Sequence, residues 1–266
     1  MRIDGSIALV TGGASGIGLA LARVLAARGA RLVVTGRDQG KLDALAVELG
    51  KERIAVLAGD VRDGAHRRAA LALAVERFGG LSILVNNAGV VRAGRLETFL
   101  DDEVQAILDV NLVAPVLWTR DALPLLRARA PSKVVGIASG IALIGTPFYG
   151  VYAASKAGLA RFDEALRREL SGEGVSVLTV YPTATETPMM STSRAGPAQG
   201  LFRETAESVA EGIAEAIVRD ALEEIRGGEA RLAMVETNQR DPSAVDARFA
   251  GLKAGLEEAV ADHRAM

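Results

Sequence analysis

Thr11-Gly12-Gly13-Ala14-Ser15-Gly16-Ile17-Gly18 is the stretch that decides the fold. Before it stands Ile7–Val10, a short apolar run that reads as a buried strand. After it, Ile17, Leu21, Val24 and Leu25 recur at helical spacing. A glycine-rich turn between strand and helix allows close backbone approach and aims the helix's unpaired N–H groups at whatever lies in front. The ligand that suits such a turn is a pyrophosphate. The spacing is TGxxxGxG and not GxGxxG. A turn of this composition is weak evidence alone, but placed between strand and helix it predicts a dinucleotide site at Gly12, Ser15, Gly16, Ile17 and Gly18.

The same alternation repeats outward from that turn. Leu32–Thr35 is followed by Leu42, Leu45 and Leu49, and Ile54–Leu57 by Leu71, Val75 and Phe78. Ile83–Val85 precedes a long helical region from about residue 101 to 129. Val134–Ala138 leads into a helix over about 151–170, and Val175–Tyr181 makes a sixth strand. Six such units predict an α/β fold: a doubly wound, Rossmann-type domain with a parallel sheet, helices on both faces and ligands at the carboxyl ends of the strands. Arg231–Val235 reads as a seventh strand. Residues 1–235 are expected to form the domain, with a mobile Thr/Ser/Pro/Gly-rich loop over about 183–206. Residues 236–266 are expected to form a tail, whose stripe of Val245, Phe249, Leu252, Leu256 and Val260 predicts an amphipathic helix.

Composition agrees with one α/β domain. The chain has 266 residues, of which 49% are hydrophobic and only 4% aromatic, so Ala, Val, Leu and Ile must fill the core. A net charge of -2 without blocks of like charge offers no footprint for nucleic acid or an anionic membrane. The absence of Cys removes disulfides and thiolate catalysis. Val134–Ser155 is uncharged, but Gly136, Gly140, Gly145, Pro147 and Gly150 break it too often for a membrane span. Residues 1–6 are too short and polar for a signal peptide. A soluble, cytoplasmic protein is expected, with no metal.

The end of the second strand is where NAD enzymes place an acidic residue on the ribose 2′-hydroxyl. Here Thr35-Gly36-Arg37 offers a guanidinium, which can pair bidentately with a 2′-phosphate. NADP(H) is therefore the expected cofactor; the plainer alternative makes Arg37 a solvated loop residue. Asp38 suits an N-cap of the second helix. Asp60 and Val61 end the third strand, within reach of an adenine. At the end of the fourth, Asn86 reads as a structural cross-brace, and Asn87, Ala88 and Gly89 as cofactor lining.

Tyr152 and Lys156 stand four apart at a helix start and share one face. Ser139 ends the fifth strand thirteen residues before Tyr152, where strand end and helix start converge on one crevice. Reducing a carbonyl needs a hydride, a proton donor and polarisation of the oxygen. The nicotinamide would supply the first, Tyr152 the second, and the Ser139 hydroxyl would help with the third. Bringing a phenol from about 10 to near neutrality takes on the order of 4 kcal/mol, which the Lys156 ammonium and the positive nicotinamide could supply together. Lys156 can also hydrogen-bond the nicotinamide ribose. Asn111, polar among Ala106, Ile107, Leu108, Val110 and Leu112, could hold a water linking Lys156 to solvent. Singly, each of these residues has an ordinary structural reading; jointly, downstream of the glycine turn, they form a constellation.

With these residues the chain resembles the short-chain dehydrogenase/reductase family, in its short single-domain branch with the TGxxxGxG loop. The matching positions are Thr11–Gly18, Asp60, Asn86–Gly89, Asn111, Ser139, Tyr152 and Lys156, with Pro182 and Thr187 after the sixth strand, over about residues 5–235. The resemblance implies a sheet ordered 3-2-1-4-5-6-7, a catalytic Asn111–Ser139–Tyr152–Lys156 tetrad, and Arg37 in the place typical of NADP(H)-preferring members. It further implies Pro182 and Thr187 beside the nicotinamide, with a following loop that closes over a small alcohol or carbonyl substrate. Two departures stand out. Thr183 replaces the Gly usual after that Pro, and the tail lacks the Gly-rich ending of tetrameric members. A homodimer through the long helices is expected, with the tetramer left open. The candidate substrate lining is Ile141, Leu143, Phe148, Tyr149, Met189, Met190 and Phe202, mostly apolar. Rival readings are nucleotide-sugar chemistry, which usually needs more chain than the 85 residues after Tyr181, and a sensor or scaffold protein that binds NADP(H) without turnover.

Overall fold

Seven short runs of buried aliphatic residues form one parallel sheet in a computed structural model describing residues 1–266. The strands are β1 (Ile7–Val10), β2 (Arg31–Gly36), β3 (Ile54–Ala58), β4 (Ile83–Asn86), β5 (Ser132–Ile137), β6 (Val175–Tyr181) and β7 (Glu223–Ile225), ordered 3-2-1-4-5-6-7. Leu9 of β1 pairs with Val33 on one side and Leu84 on the other. The chain winds outward to β3 and then returns beside β1 as β4. This reversal opens a crevice at the carboxyl ends of β1 and β4, where an α/β sheet takes its ligand.

Helices cover both faces. Leu21 and Leu25 of α1 (Gly16–Ala27), Leu42 and Leu45 of α2 (Gln39–Leu49) and Val209 and Ile213 of α7 (Ala206–Val218) pack on Val10, Val34 and Val180. On the other face, Ala70 and Phe78 of α3 (Gly64–Phe78), Trp118 and Leu126 of α5 (Ala114–Ala128) and Leu166 of α6 (Gly150–Glu169) pack on Leu9, Val33 and Val134. Trp118 is fully buried and donates its indole N–H to Val61 O at 2.8 Å, which ties the turn after β3 to this layer. Lys133, also fully buried, reaches Asp220 at 2.5 Å at the opposite end of the sheet.

Two expected elements differ. The seventh strand is Glu223–Ile225, and the segment read as a strand, Arg231–Val235, lies inside α8 (Gly228–Arg240). Leu, Ala and Met in that segment favour helix, whereas the true edge strand is masked by charge. Its Glu223 accepts from the Tyr181 hydroxyl at 3.1 Å, and Glu224 pairs with Arg219 and Arg226. The long helix is also interrupted: α4 (Asp101–Leu108) gives way to a π turn over Asp109–Val113 before α5 begins.

The loop after β6 carries a short bridge of its own. Thr185–Glu186 pairs with Glu204–Thr205, and Arg203 donates to Ser193 O at 2.7 Å. The residues assigned to the tail begin within α8 and continue as α9 (Pro242–Val260). Arg264–Ala265 then forms an antiparallel bridge with Val91–Arg92, at the mouth of the crevice. No helix is long and apolar enough to cross a membrane.

Candidate active site

The glycine turn is shaped from beneath by Thr11 and Asn87. The Thr11 hydroxyl donates to Val85 O and accepts from the N–H groups of Asn87 and Ala88. The Asn87 amide donates to Thr11 O at 2.9 Å and Gly12 O at 3.0 Å, bracing the end of β4 against the end of β1. Asn86 instead donates to Thr119 inside the core. Gly12 has φ +64, and a Cβ there would meet Ala88 Cα at 2.8 Å; a Cβ on Gly18 would meet the Asn87 amide at 2.4 Å. Both positions therefore require glycine. Ser15 precedes α1 without making a side-chain capping bond, so the first N–H groups of α1 have no side-chain acceptor. That is the donor set a pyrophosphate requires.

One cavity of about 590 Å³ runs from this turn in both directions, a size within the range of ligand sites. Toward β2 it is lined by Arg37, Asp38, Lys41, Asp60, Val61 and Arg62. Asp60 is held by four hydrogen bonds from Arg62, and that guanidinium brings its carboxyl down to about 2. Asp38 caps α2 as expected, accepting from Lys41 N, and its carboxylate lies 3.4 Å from the Lys41 ammonium. Arg37 has no side-chain carboxylate partner and donates to Met266 O at 3.2 Å. Two of the three cations at this end are thus held by side-chain carboxylates, and Arg37 is not.

Toward β5 the cavity is lined by Ser139, Tyr152 and Lys156, with Gly89, Pro182 and Thr187. Pro182 O accepts from Gly140 N at 2.8 Å, and the Thr187 methyl closes against Gly16. Ser139 continues from β5 in extended conformation. Tyr152 lies in the first turn of α6, where burial pushes its hydroxyl up to about 12, opposed by a hydrogen bond with Ser139. Lys156 Nζ donates to Ile137 O at 2.7 Å and lies 6.0 Å from the centre of the Tyr152 ring. Burial brings Lys156 down to about 8, opposed by the nearby Asp163 to the extent that it ionises. In the chain by itself desolvation sets the direction for the phenol; the positive nicotinamide on which the spacing argument also relies would come with the bound cofactor.

Asn111 is fully buried in the π turn, where its side chain bonds to protein groups. Its carbonyl accepts from Val90 N, and its amide donates to Val90 O and to Ser155 Oγ at 3.1 Å. Ser155 in turn donates to Tyr152 O at 2.7 Å, which locks the first turn of α6 to the segment after β4. The sequence reading missed Ser155, although its place beside Lys156 marked it.

Of the candidate substrate lining, Ile141, Tyr149, Met189 and Met190 reach the cavity. Phe202 is 72% exposed and does not. Leu143 packs beside Ala138, Ala160 and Tyr181, and Phe148 against the Val91–Tyr149–Leu256 cluster. Thr183 does line it, and its methyl abuts Gly227, where a Cβ would come within 2.8 Å. Three lining residues had no signal in the sequence: Arg231, His263 and Met266. All three are distant in sequence from every motif, and the fold of the last two helices delivers them.

Comparison with known proteins agrees with this geometry. The short chain dehydrogenase family model matches residues 6–198. Ketoacyl reductase HetN of Nostoc sp. strain PCC 7120 is 33% identical over 226 residues, covering 84% of this chain and 79% of that protein. A short-chain dehydrogenase of Burkholderia cenocepacia J2315, solved in complex with NADP, superposes with a TM-score of 0.75 at 32% identity, over 82% of this chain and 92% of the other. A 3-ketoacyl-(acyl-carrier-protein) reductase of Brucella melitensis, solved with NADH, gives 0.79 at 28% identity, over 85% and 98%. With the glycine turn, the sheet order and the converging Ser139, Tyr152 and Lys156 on one cavity, the match makes this chain a member of the short-chain dehydrogenase/reductase family of oxidoreductases.

Proposed function

We propose that the protein interconverts an alcohol and a ketone or aldehyde with NADP(H), and that Tyr152 exchanges the proton with the substrate oxygen. The observation that carries this reading is the convergence of Ser139, Tyr152 and Lys156 on the cavity that also holds the glycine turn. When bound, the nicotinamide supplies or accepts the hydride. Gly12, Ser15–Gly18, Asp60–Val61, Asn87–Gly89, Pro182 and Thr187 would hold the dinucleotide, with Arg37 on the 2′-phosphate. The family's solved members include complexes with both NADP and NADH, and the preference for NADP(H) here rests on Arg37, whose guanidinium lines the cavity without a side-chain carboxylate on it.

In the reductive direction the Tyr152 hydroxyl donates its proton to the carbonyl oxygen while Ser139 Oγ hydrogen-bonds the same atom. Burial holds Tyr152 protonated, the form that this step consumes. Lys156, brought to about 8, can give and take a proton near neutrality and so return one to the phenolate. Asn111 acts through Ser155 by fixing the turn that carries Tyr152. The substrate is a small molecule with an apolar body, to suit Ile141, Met189, Met190 and Leu201. The test is nicotinamide absorbance with a panel of ketones, aldehydes and alcohols, using NADPH and NADH in turn. Turnover with NADPH is expected. Tight NADPH binding without turnover in either direction would replace this reading with that of a sensor or scaffold.

A further inference from the structure

The cavity contains a cation that nothing in the chain answers. Arg231, in the first part of α8, lines the substrate half and forms neither a hydrogen bond nor an ion pair with any other residue. Its guanidinium lies against the strand end that carries Ser139: a Cβ on Gly140 would stand 3.2 Å from the guanidinium carbon. Its stem packs on Gly227, where a Cβ would come within 3.1 Å of the Arg231 Cβ. Burial alone draws its pKa below the usual guanidinium value, with no acidic neighbour to offset the loss of hydration. The acidic residues lining the cavity are Asp38 and Asp60, both at the β2 end and both already paired, with Lys41 and Arg62. His263 is held neutral by burial, which brings it down to about 4. Other guanidiniums that are buried or half-buried find an answer within the chain: Arg67 in Asp121, Arg92 in Glu103, Arg226 in Glu204 and Glu224, and Arg31 in the face of the Phe78 ring. A partly buried charge is normally paired, so the missing partner of Arg231 belongs to the ligand.

Resting on the alcohol–carbonyl reading above, we propose that Arg231 is a substrate-binding residue, and that the substrate is an oxo or hydroxy compound carrying an oxyanion, a carboxylate or a phosphate ester. The planar fork of a guanidinium matches either group bidentately. Its place beside Gly140 sets the anion close to the carbonyl that Ser139 and Tyr152 would hold. The apolar lining then accepts the carbon chain between or beyond the two polar groups.

The test uses matched pairs: oxo-carboxylates against their methyl esters, and oxoalkyl phosphates against the parent alcohols. Wild-type protein is expected to favour the anionic member by at least about tenfold in kcat/KM. Arg231→Gln should erase that preference mainly through KM, and Arg231→Lys should keep part of it. NADPH affinity, titrated by fluorescence, should be the same in all three proteins. An equal loss on charged and neutral members would overturn the proposal. So would a loss of NADPH affinity with the preference intact, since the guanidinium would then serve a cofactor phosphate. Calorimetry of hexanoate and hexyl phosphate with the NADPH-loaded protein separates the proposal from the reading it rests on. Saturable binding lost in Arg231→Gln would support the anion site even if no oxo compound were turned over. No binding to the wild type would overturn it even if neutral ketones were reduced.

Discussion

Replacing Arg37 by Met should weaken NADPH binding by tens of fold and leave NADH binding nearly unchanged. The magnitude follows from the charges at that end of the cavity. Lys41 is 3.4 Å from Asp38 and Arg62 is bound to Asp60, so both already spend their charge on carboxylates. Arg37 has only the Met266 oxygen at 3.2 Å and is free to turn to a phosphate. A charge-assisted hydrogen bond of this kind contributes about 1.5–3 kcal/mol, or roughly ten- to 150-fold in affinity. The exposure of Arg37 puts the expected loss toward the lower part of that range. Arg37→Asp should cost about 1–2 kcal/mol more, because a like charge then faces the phosphate in a medium between water and protein interior. The assay is a fluorescence titration of both cofactors at low and high salt. The NADPH-to-NADH affinity ratio should fall in the variants, and in the wild type it should shrink as salt rises. Equal losses for the two cofactors, or a ratio indifferent to salt, would refute the assignment of Arg37 to the 2′-phosphate.

Tyr152→Phe should lower turnover roughly a hundred- to ten-thousand-fold with cofactor affinity and melting temperature preserved, as single-turnover kinetics and thermal melts would register. Asp163→Asn should stabilise the fold, and more at pH 8 than at pH 5. Burial pushes Asp163 up to about 8, above its unfolded value of about 4, so the folded chain retains a proton that the unfolded chain releases and stability falls as pH rises across that window. Melts that show destabilisation at pH 8 would mean that Asp163 is ionised and paired with Lys156. Asp220→Asn, which tolerates the left-handed backbone there (φ 58), should cost about 1–3 kcal/mol in urea unfolding by leaving the buried Lys133 ammonium alone; the exposure of Asp220 keeps the figure below that of a fully buried pair. The pairing lowers the pKa of Asp220, so its contribution is present above about pH 4 and fades as pH falls through the folded value. A wild-type-like Asp220→Asn would contradict the ion pair.

The sheet was legible because its strands are buried on both faces and so read as uninterrupted aliphatic runs. β1 to β6 lie within two residues of their expected bounds. β7 was not legible, because an edge strand needs no apolar run and Glu223 and Glu224 hide it. The catalytic candidates were legible for a different reason: each sits next to a strand end or helix start that periodicity locates. What Asn111 does was beyond periodicity, because a π turn inserts an extra residue without changing the apolar pattern on either side. Desolvation of Tyr152 and Lys156 was equally out of reach, since it depends on everything packed over them. Arg231 and His263 could not be read at all. No local spacing connects them to Ser139 or Tyr149; only the path of α8 and α9 brings them to the cavity.

The closing bridge of Arg264–Ala265 with Val91–Arg92 has a consequence for which part of the molecule loosens first. It is two residues long, and around it lie contacts that solvent weakens: Arg95 with Glu257, Arg194 with Asp262 at 3.5 Å, and Arg264 with Glu103 at 2.9 Å. The strands beneath are buried throughout and paired along their length. Free energies of local opening scale with such differences. The Ala93 and Arg194 amides, which donate to His263 O and Ala259 O, should therefore exchange with solvent deuterium well before those of β4 and β5. This edge of the cavity can thus unzip while the sheet beneath it stays intact.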